Sequence, residues 1–172
     1  SHPWNLGFLP DGNILITERT GNLRVIRNGA LDPQPVSGVP QVHSEQRAGL
    51  MGLALHPKFA ENKLIYLAYS KSGEQGITIA LARGRFDGRA LTDAREIFVA
   101  DAWGKGTPSV GASAIVFGPD GMLYMTVGGA INSANTGKRA QDPSDHCGKV
   151  LRLRDDGSVP TTIRLSGGPA TG

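Results

Sequence analysis

Between Gln141 and Cys147 the chain gathers two carboxylates, an imidazole and a thiol: Gln141-Asp142-Pro143-Ser144-Asp145-His146-Cys147. Such a set could bind hydroxyl groups, hold a cation or move a proton. A metal centre needs three or four ligands converging at defined geometry. Asp-x-x-Asp-His-Cys is no established ligand spacing, so no metal ligand is assigned. Adjacent side chains in extended chain face opposite ways, which speaks against a Cys147–His146 catalytic pair. Cys147 is the sole cysteine, forms no internal disulfide, and reads as a small buried apolar residue. Asp and Gln in such a loop either cap backbone N–H groups or face a ligand from a rigid scaffold. Gln141, Asp142 and His146 are therefore the candidate ligand-binding residues.

Other chemistry-bearing residues are more scattered. His43 and His56 sit at turn positions, where a structural role is expected. Ser113 and Ser133 are not in a Gly-x-Ser-x-Gly elbow, although a triad drawn from distant loops stays open. Asn132 to Gly137 is a polar loop suited to hydrogen bonding or to mobility.

The elements that must carry these residues are strands. With 172 residues, 39% hydrophobic and 19% charged, the chain can bury a substantial core. Its 24 glycines and 11 prolines suit short strands joined by many turns. Units built on Phe8-Leu9-Pro10-Asp11-Gly12, Leu55-His56-Pro57-Lys58-Phe59 and Phe117-Gly118-Pro119-Asp120-Gly121 each lead into a strand rich in β-branched and aromatic residues. In these turns Pro presets φ, Asp bonds back to the backbone and Gly accepts a positive φ. The turns recur at roughly 50 to 60 residues, the length of one four-stranded propeller blade. Further strands are expected at Asn22–Arg27, Ile77–Phe86, Glu96–Ala100 and Lys149–Arg154, and no segment holds a sustained helical period. The expected fold is all-β: a partial β-propeller of four-stranded blades, about three of them present. Residues 1–160 form the domain, and 161–172 a tail.

Charge and hydropathy narrow the partners. The net charge of +3 is spread along the chain and aromatics make up 6%, without the basic stripe or stacking platform of a nucleic-acid binder. No apolar run reaches the roughly 20 residues that span a bilayer, and no signal peptide is visible at Ser1-His2-Pro3-Trp4. Three blades do not close a ring, so association of two copies into a complete propeller is a natural expectation.

Four stretches, in order and spacing, carry a family likeness: Leu9-Pro10-Asp11-Gly12 with Thr17-Glu18-Arg19; Gly49-Leu50-Met51-Gly52-Leu53-Ala54-Leu55-His56-Pro57-Lys58-Phe59; Gly118-Pro119-Asp120-Gly121-Met122-Leu123-Tyr124; and Gln141-Asp142-Pro143 through Pro160. They resemble the quinoprotein sugar dehydrogenases, the soluble glucose, aldose and sorbosone dehydrogenases. The resemblance implies a six-bladed propeller with pyrroloquinoline quinone and calcium at its mouth, a sugar substrate, and a periplasmic or secreted home. A histidine there would act as base on the sugar hydroxyl while hydride passes to the quinone. By position, Gln46 and Arg47 become candidate quinone contacts, Arg47 through a bidentate carboxylate contact. Gln141, Asp142 and His146 become candidate sugar contacts.

The chain departs from that pattern where the chemistry is concentrated. Val110 stands where the base would fall, Ala114 where an arginine would, and Gly129 where an aspartate follows Thr126-Val127-Gly128. The later His-Arg-Asn-Pro-Gln-Gly type of motif, which carries quinone and calcium ligands, does not occur. No catalytic residue is assigned. Beside a sugar oxidase by descent stand two alternatives: a non-catalytic, carbohydrate-binding or self-associating half-propeller, and a lactonase- or esterase-like hydrolase.

Overall fold

The computed structural model describes residues 2–45, 48–104, 113–129 and 136–161. Three antiparallel sheets follow one another along the chain. The first contains β1 (Pro3–Phe8), β2 (Ile14–Glu18), β3 (Leu23–Arg27) and β4 (Ala30–Leu31), in that spatial order. The second contains β5 (Leu50–Leu55), β6 (Leu64–Gly73), β7 (Gly76–Phe86) and β8 (Leu91–Val99), with the one-turn helix α1 (Phe59–Asn62) between β5 and β6. In the third, β9 (Ile115–Phe117), β10 (Leu123–Val127) and β11 (Lys149–Leu153) pair in sequence, and α2 (Thr136–Gln141) precedes β11. The first strands of successive sheets lie side by side, β1 by β5 and β5 by β9. Strands stepping outward from a shared inner edge make each sheet a propeller blade. The all-β, three-blade expectation holds; the third blade shows three strands among the described residues.

The cores lie between blades. One joins Leu15, Leu23 and Val25 of the first blade to Leu53, Ile65, Leu67 and Tyr69 of the second. The other joins Met51, Tyr66, Ala68, Ile79 and Leu81 of the second blade to Ile115, Leu123, Met125 and Leu153 of the third. Strand β6 therefore feeds both cores by simple alternation, Ile65, Leu67 and Tyr69 to one side and Tyr66 and Ala68 to the other. A strand buried on both faces reads as a continuous apolar run, which is how Leu64-Ile65-Tyr66-Leu67-Ala68-Tyr69 reads. In β5 a register shift between Leu50 and Gly52 lets Leu50 and Leu53 share a face despite their odd spacing.

The outer faces of the first and third blades are open. On β1, Trp4, Leu6 and Phe8 point outward, Phe8 being 70% exposed. Leu6 and Phe8 lie opposite Ile16 and Ile14 of β2, extending the apolar face across the sheet. The third blade presents Val116, Tyr124, Val150 and Arg152 on one face, since Tyr124 pairs with both Val116 and Arg152. Val116 and Val150 are exposed.

Similar turns close the end where β1 and β9 finish. Gly12, Gly121 and Gly157 have φ of 86°, 73° and 86°. Each donates its N–H three residues back, to the carbonyls of Leu9, Gly118 and Arg154. Asp11, Asp120 and Asp156 each accept an N–H two residues ahead. The last of these turns also ties two blades together. The Asp155 carbonyl accepts from the Tyr66 hydroxyl at 3.0 Å and from Arg83 at 2.9 Å, and a Cβ on Gly157 would come within 2.2 Å of the Ile97 carbonyl oxygen. The expected outcome of Gly157→Ala is a loss of about 1–3 kcal/mol from overpacking and positive-φ strain, measured as a lower urea midpoint with unchanged slope. Gly12→Ala, where nothing lies within 4 Å of the new methyl, carries the φ penalty alone and should cost less.

Candidate functional site

The opposite end of the blades forms the mouth. Here β1, β5 and β9 begin, β2, β6 and β10 end, and the loops following Asp101 and preceding Lys149 meet. Blades approach very closely at this end. Leu50 N–H of the second blade donates to the Arg19 carbonyl of the first at 3.2 Å, while within the first blade Arg19 N–H donates to the His2 carbonyl at 2.9 Å. A Cβ on Gly49 would lie 2.1 Å from the Arg19 oxygen. Only glycine fits between these two backbones, which accounts for Gly49 at the start of β5.

The Gln141–Cys147 loop belongs to this end, set between the ends of outer strands rather than at the inner edge. Asp142 Oδ1 accepts from the Ser144 backbone N–H at 2.9 Å and its hydroxyl at 2.6 Å. The hydroxyl and N–H of Ser144 hold the Asp142 carboxyl below the usual range. His146 is clasped to the second blade: its N–H donates to the Asp101 carbonyl at 3.2 Å and its Nδ1 accepts from Asp101 N–H at 2.9 Å. Its ring lies 5.7 Å from Phe98. With Nδ1 accepting, the neutral imidazole carries its proton on Nε2 and offers a donor, not a base. Gln141 ends α2 and is exposed. The three residues are thus on one rim, two of them already engaged in shaping it.

Sequence reading missed what anchors this rim. Arg139 of α2 grips Asp145 through Nε at 2.5 Å and Nη2 at 3.2 Å, and donates to the Trp103 carbonyl at 3.1 Å. Lys149 caps the same turn, its Nζ donating to the carbonyls of Arg139, Ala140 and Cys147. Burial tends to raise the Asp145 carboxyl, yet the Arg139 guanidinium and Cys147 N–H outweigh it and hold it below the ordinary value. Cys147 is fully buried, as a small apolar residue would be. His43 and His56 also serve local structure: His43 Nδ1 lies 2.9 Å from Ser72 Oγ, and His56 Nδ1 accepts from Lys58 N–H at 3.0 Å.

Gln46, Arg47 and Val110 lie outside the described residues, as does Ser133. Nearer the inner edge, Ser113 is buried at 4% exposure, and its Oγ has no hydrogen-bond partner among the described residues. That orphaned hydroxyl precedes β9 and is a polar group a ligand could satisfy. Gly129, after β10, brings no carboxylate. Calcium takes about six to eight oxygen ligands, and among the described residues no group of three or more His, Cys, Asp and Glu converges. The described part of the mouth therefore does not by itself fit a quinone–calcium centre, and no catalytic step is drawn through one.

Blades sharing an inner edge, with loops gathered at one end, define a propeller segment. The sequence pattern described by the Glucose / Sorbosone dehydrogenase family matches residues 1–167, and the chain belongs to that family. The aldose sugar dehydrogenase YliI of Escherichia coli is 36% identical over 92% of this chain and 43% of its own length. A crystal structure of a glucose dehydrogenase superposes with a TM-score of 0.82 at 32% identity, covering 93% of this chain and 46% of that one. The quinone-bound aldose sugar dehydrogenase of Streptomyces coelicolor gives 0.75 at 25% identity, covering 98% and 49%. The chain spans about half the length of the relatives it matches.

The Arg139–Asp145 clasp predicts a pH signature. Because Asp145 is held below the ordinary aspartate value of about 3.9, its stabilisation is complete above that pH and is lost as pH falls through the folded value. Asp145→Asn should cost about 1–2 kcal/mol at neutral pH. In denaturant titrations the gap from wild type should shrink below about pH 4.

Proposed function

We propose that this chain is one half of a pyrroloquinoline quinone-dependent aldose dehydrogenase propeller, and that sugar oxidation belongs to the completed ring rather than to these blades alone. The observation that carries the reading is the blade architecture, which superposes on about half of a glucose dehydrogenase and of an aldose sugar dehydrogenase. The quinone, when bound, supplies the hydride acceptor. Gln46 and Arg47 are proposed to meet its carboxylates. Gln141, Asp142 and His146 are proposed as the sugar-facing rim, where the Nε2–H of His146 donates to a hydroxyl. A periplasmic or secreted setting fits this reading; among the described residues no helix is long and apolar enough to cross a membrane.

For the 172-residue chain on its own, a second copy is the proposed cover for the open faces. Each copy presents the apolar β1 face on one side and the Val116–Val150 face on the other, so a two-fold axis along the channel would match unlike faces twice. Residues 1–160 are the part that forms the ring, with 161–172 outside it.

Two measurements test these statements. Titrating quinone and calcium with dye reduction on aldoses should give no turnover, for wild type and for Val110→His alike. Dye reduction by either protein overturns the proposal that the remaining blades are required. Light scattering should give twice the 18.1 kDa of one chain, and Phe8→Glu should return it to monomer. A wild-type monomer at micromolar concentration would exclude the second copy.

A further inference from the structure

The second blade carries a concavity at the end away from the mouth, on the face turned toward the third blade. It encloses about 240 Å³ and is lined by Leu64, Arg83, Gly84, Arg85, Asp93 and Arg95. We propose that it is a binding site for a dianionic tetrahedral oxyanion: free phosphate or the phosphoryl group of a sugar ester.

The backbone builds the concavity. Strand pairing between β7 and β8 slips between Arg83 and Arg85, and Asp93 opposite this slip takes a φ of 52°. Such a bulge bends one strand away from its neighbour and re-aims side chains. Arg83 and Arg85 share a face at the spacing of two residues, and Arg95 lies directly across from Arg83.

The charge is arranged rather than cancelled. Arg83 donates to the Asp155 carbonyl at 2.9 Å, and Arg85 to that of Asn62 at 2.6 Å. These bonds fix the guanidinium planes without neutralising them. The nearest carboxylates are at ion-pair distance only, Asp155 at 3.8 Å from Arg83 and Asp93 at 4.0 Å from Arg85. Among the described residues Arg95 has no hydrogen bond or ion pair, and three guanidinium groups stand against the two carboxylates of Asp93 and Asp155, leaving a net positive charge. Guanidinium forks match tetrahedral oxyanions bidentately, and a concave wall concentrates their field. None of these residues belongs to the mouth, so the site stands independently of the proposed sugar oxidation.

The test is calorimetric titration of the full chain with inorganic phosphate and with glucose 6-phosphate at fixed ionic strength. Both should bind saturably; tighter binding of the ester identifies a sugar phosphate as the ligand, and tighter binding of phosphate identifies the free ion. Arg95→Ala should weaken binding about tenfold, the scale of one lost charge-assisted contact. Asp93→Asn should strengthen it, since asparagine tolerates the positive φ and removes the repelling charge. Arg154→Ala, held in its own turn by Ser158 and Val159, should change nothing. Absence of saturable binding overturns the proposal, as does binding that is indifferent to both Arg95→Ala and Asp93→Asn.

Discussion

The second blade is buried on both faces, and everything else in the molecule is arranged around that fact. Its strands β6 and β7 supply side chains alternately to two cores, so neither neighbouring blade can shift without opening one of them. Fully burying each such side chain is worth about 1.5–3 kcal/mol. The outer blades enjoy this on one face only. Their other faces carry the exposed apolar residues Leu6, Phe8, Val116 and Val150. A contiguous exposed apolar face marks a surface meant for contact. The same packing rule that makes the middle blade rigid leaves the molecule with two unfinished edges.

Rigidity also explains how the mouth can be specified by backbone. Gly49 lets the first and second blades meet along the main-chain bond from Leu50 to Arg19, while His146 and Asp101 exchange bonds between the second and third. These contacts place loops with little help from long side chains. The Arg139–Asp145 clasp and the Lys149 cap then fix α2 against the Trp103 carbonyl. A rim so constrained can present Gln141 and the His146 Nε2–H in one orientation, which is what selective binding of hydroxyl groups requires. It leaves no free acceptor on the neutral His146 ring, because Nδ1 already accepts a hydrogen bond from Asp101 N–H.

Much of this was legible in the sequence where a local rule governs. The Asp-Gly turns at Gly12, Gly121 and Gly157 need positive φ, so their residues announce them. The run Leu64–Tyr69 shows a strand buried on both sides. Strand β8 was expected at Glu96 to Ala100 yet begins at Leu91. Its polar stretch Thr92-Asp93-Ala94-Arg95-Glu96 is an exposed outer strand, held by the ladder with β7 rather than by alternation. The short helices α1 and α2 went unread because four to six residues show no period. Thr136 and Gly137, polar-loop residues by sequence, open α2 instead.

The site was less legible for a related reason. Family likeness proposes Gln46, Arg47, Gln141, Asp142 and His146 by position, but the partners that shape the His146 rim are distant in sequence. Asp101 reaches His146 across 45 residues, and Asp155 reaches Tyr66 across 89. Such pairings follow from blade stacking and leave no local signature. The arginines of the second blade make the same point. Arg83, Arg85 and Arg95 look like ordinary strand charges until a bulge at Asp93 turns them toward one concavity. Residue types state what chemistry is available, and the stacking of blades decides which of it converges.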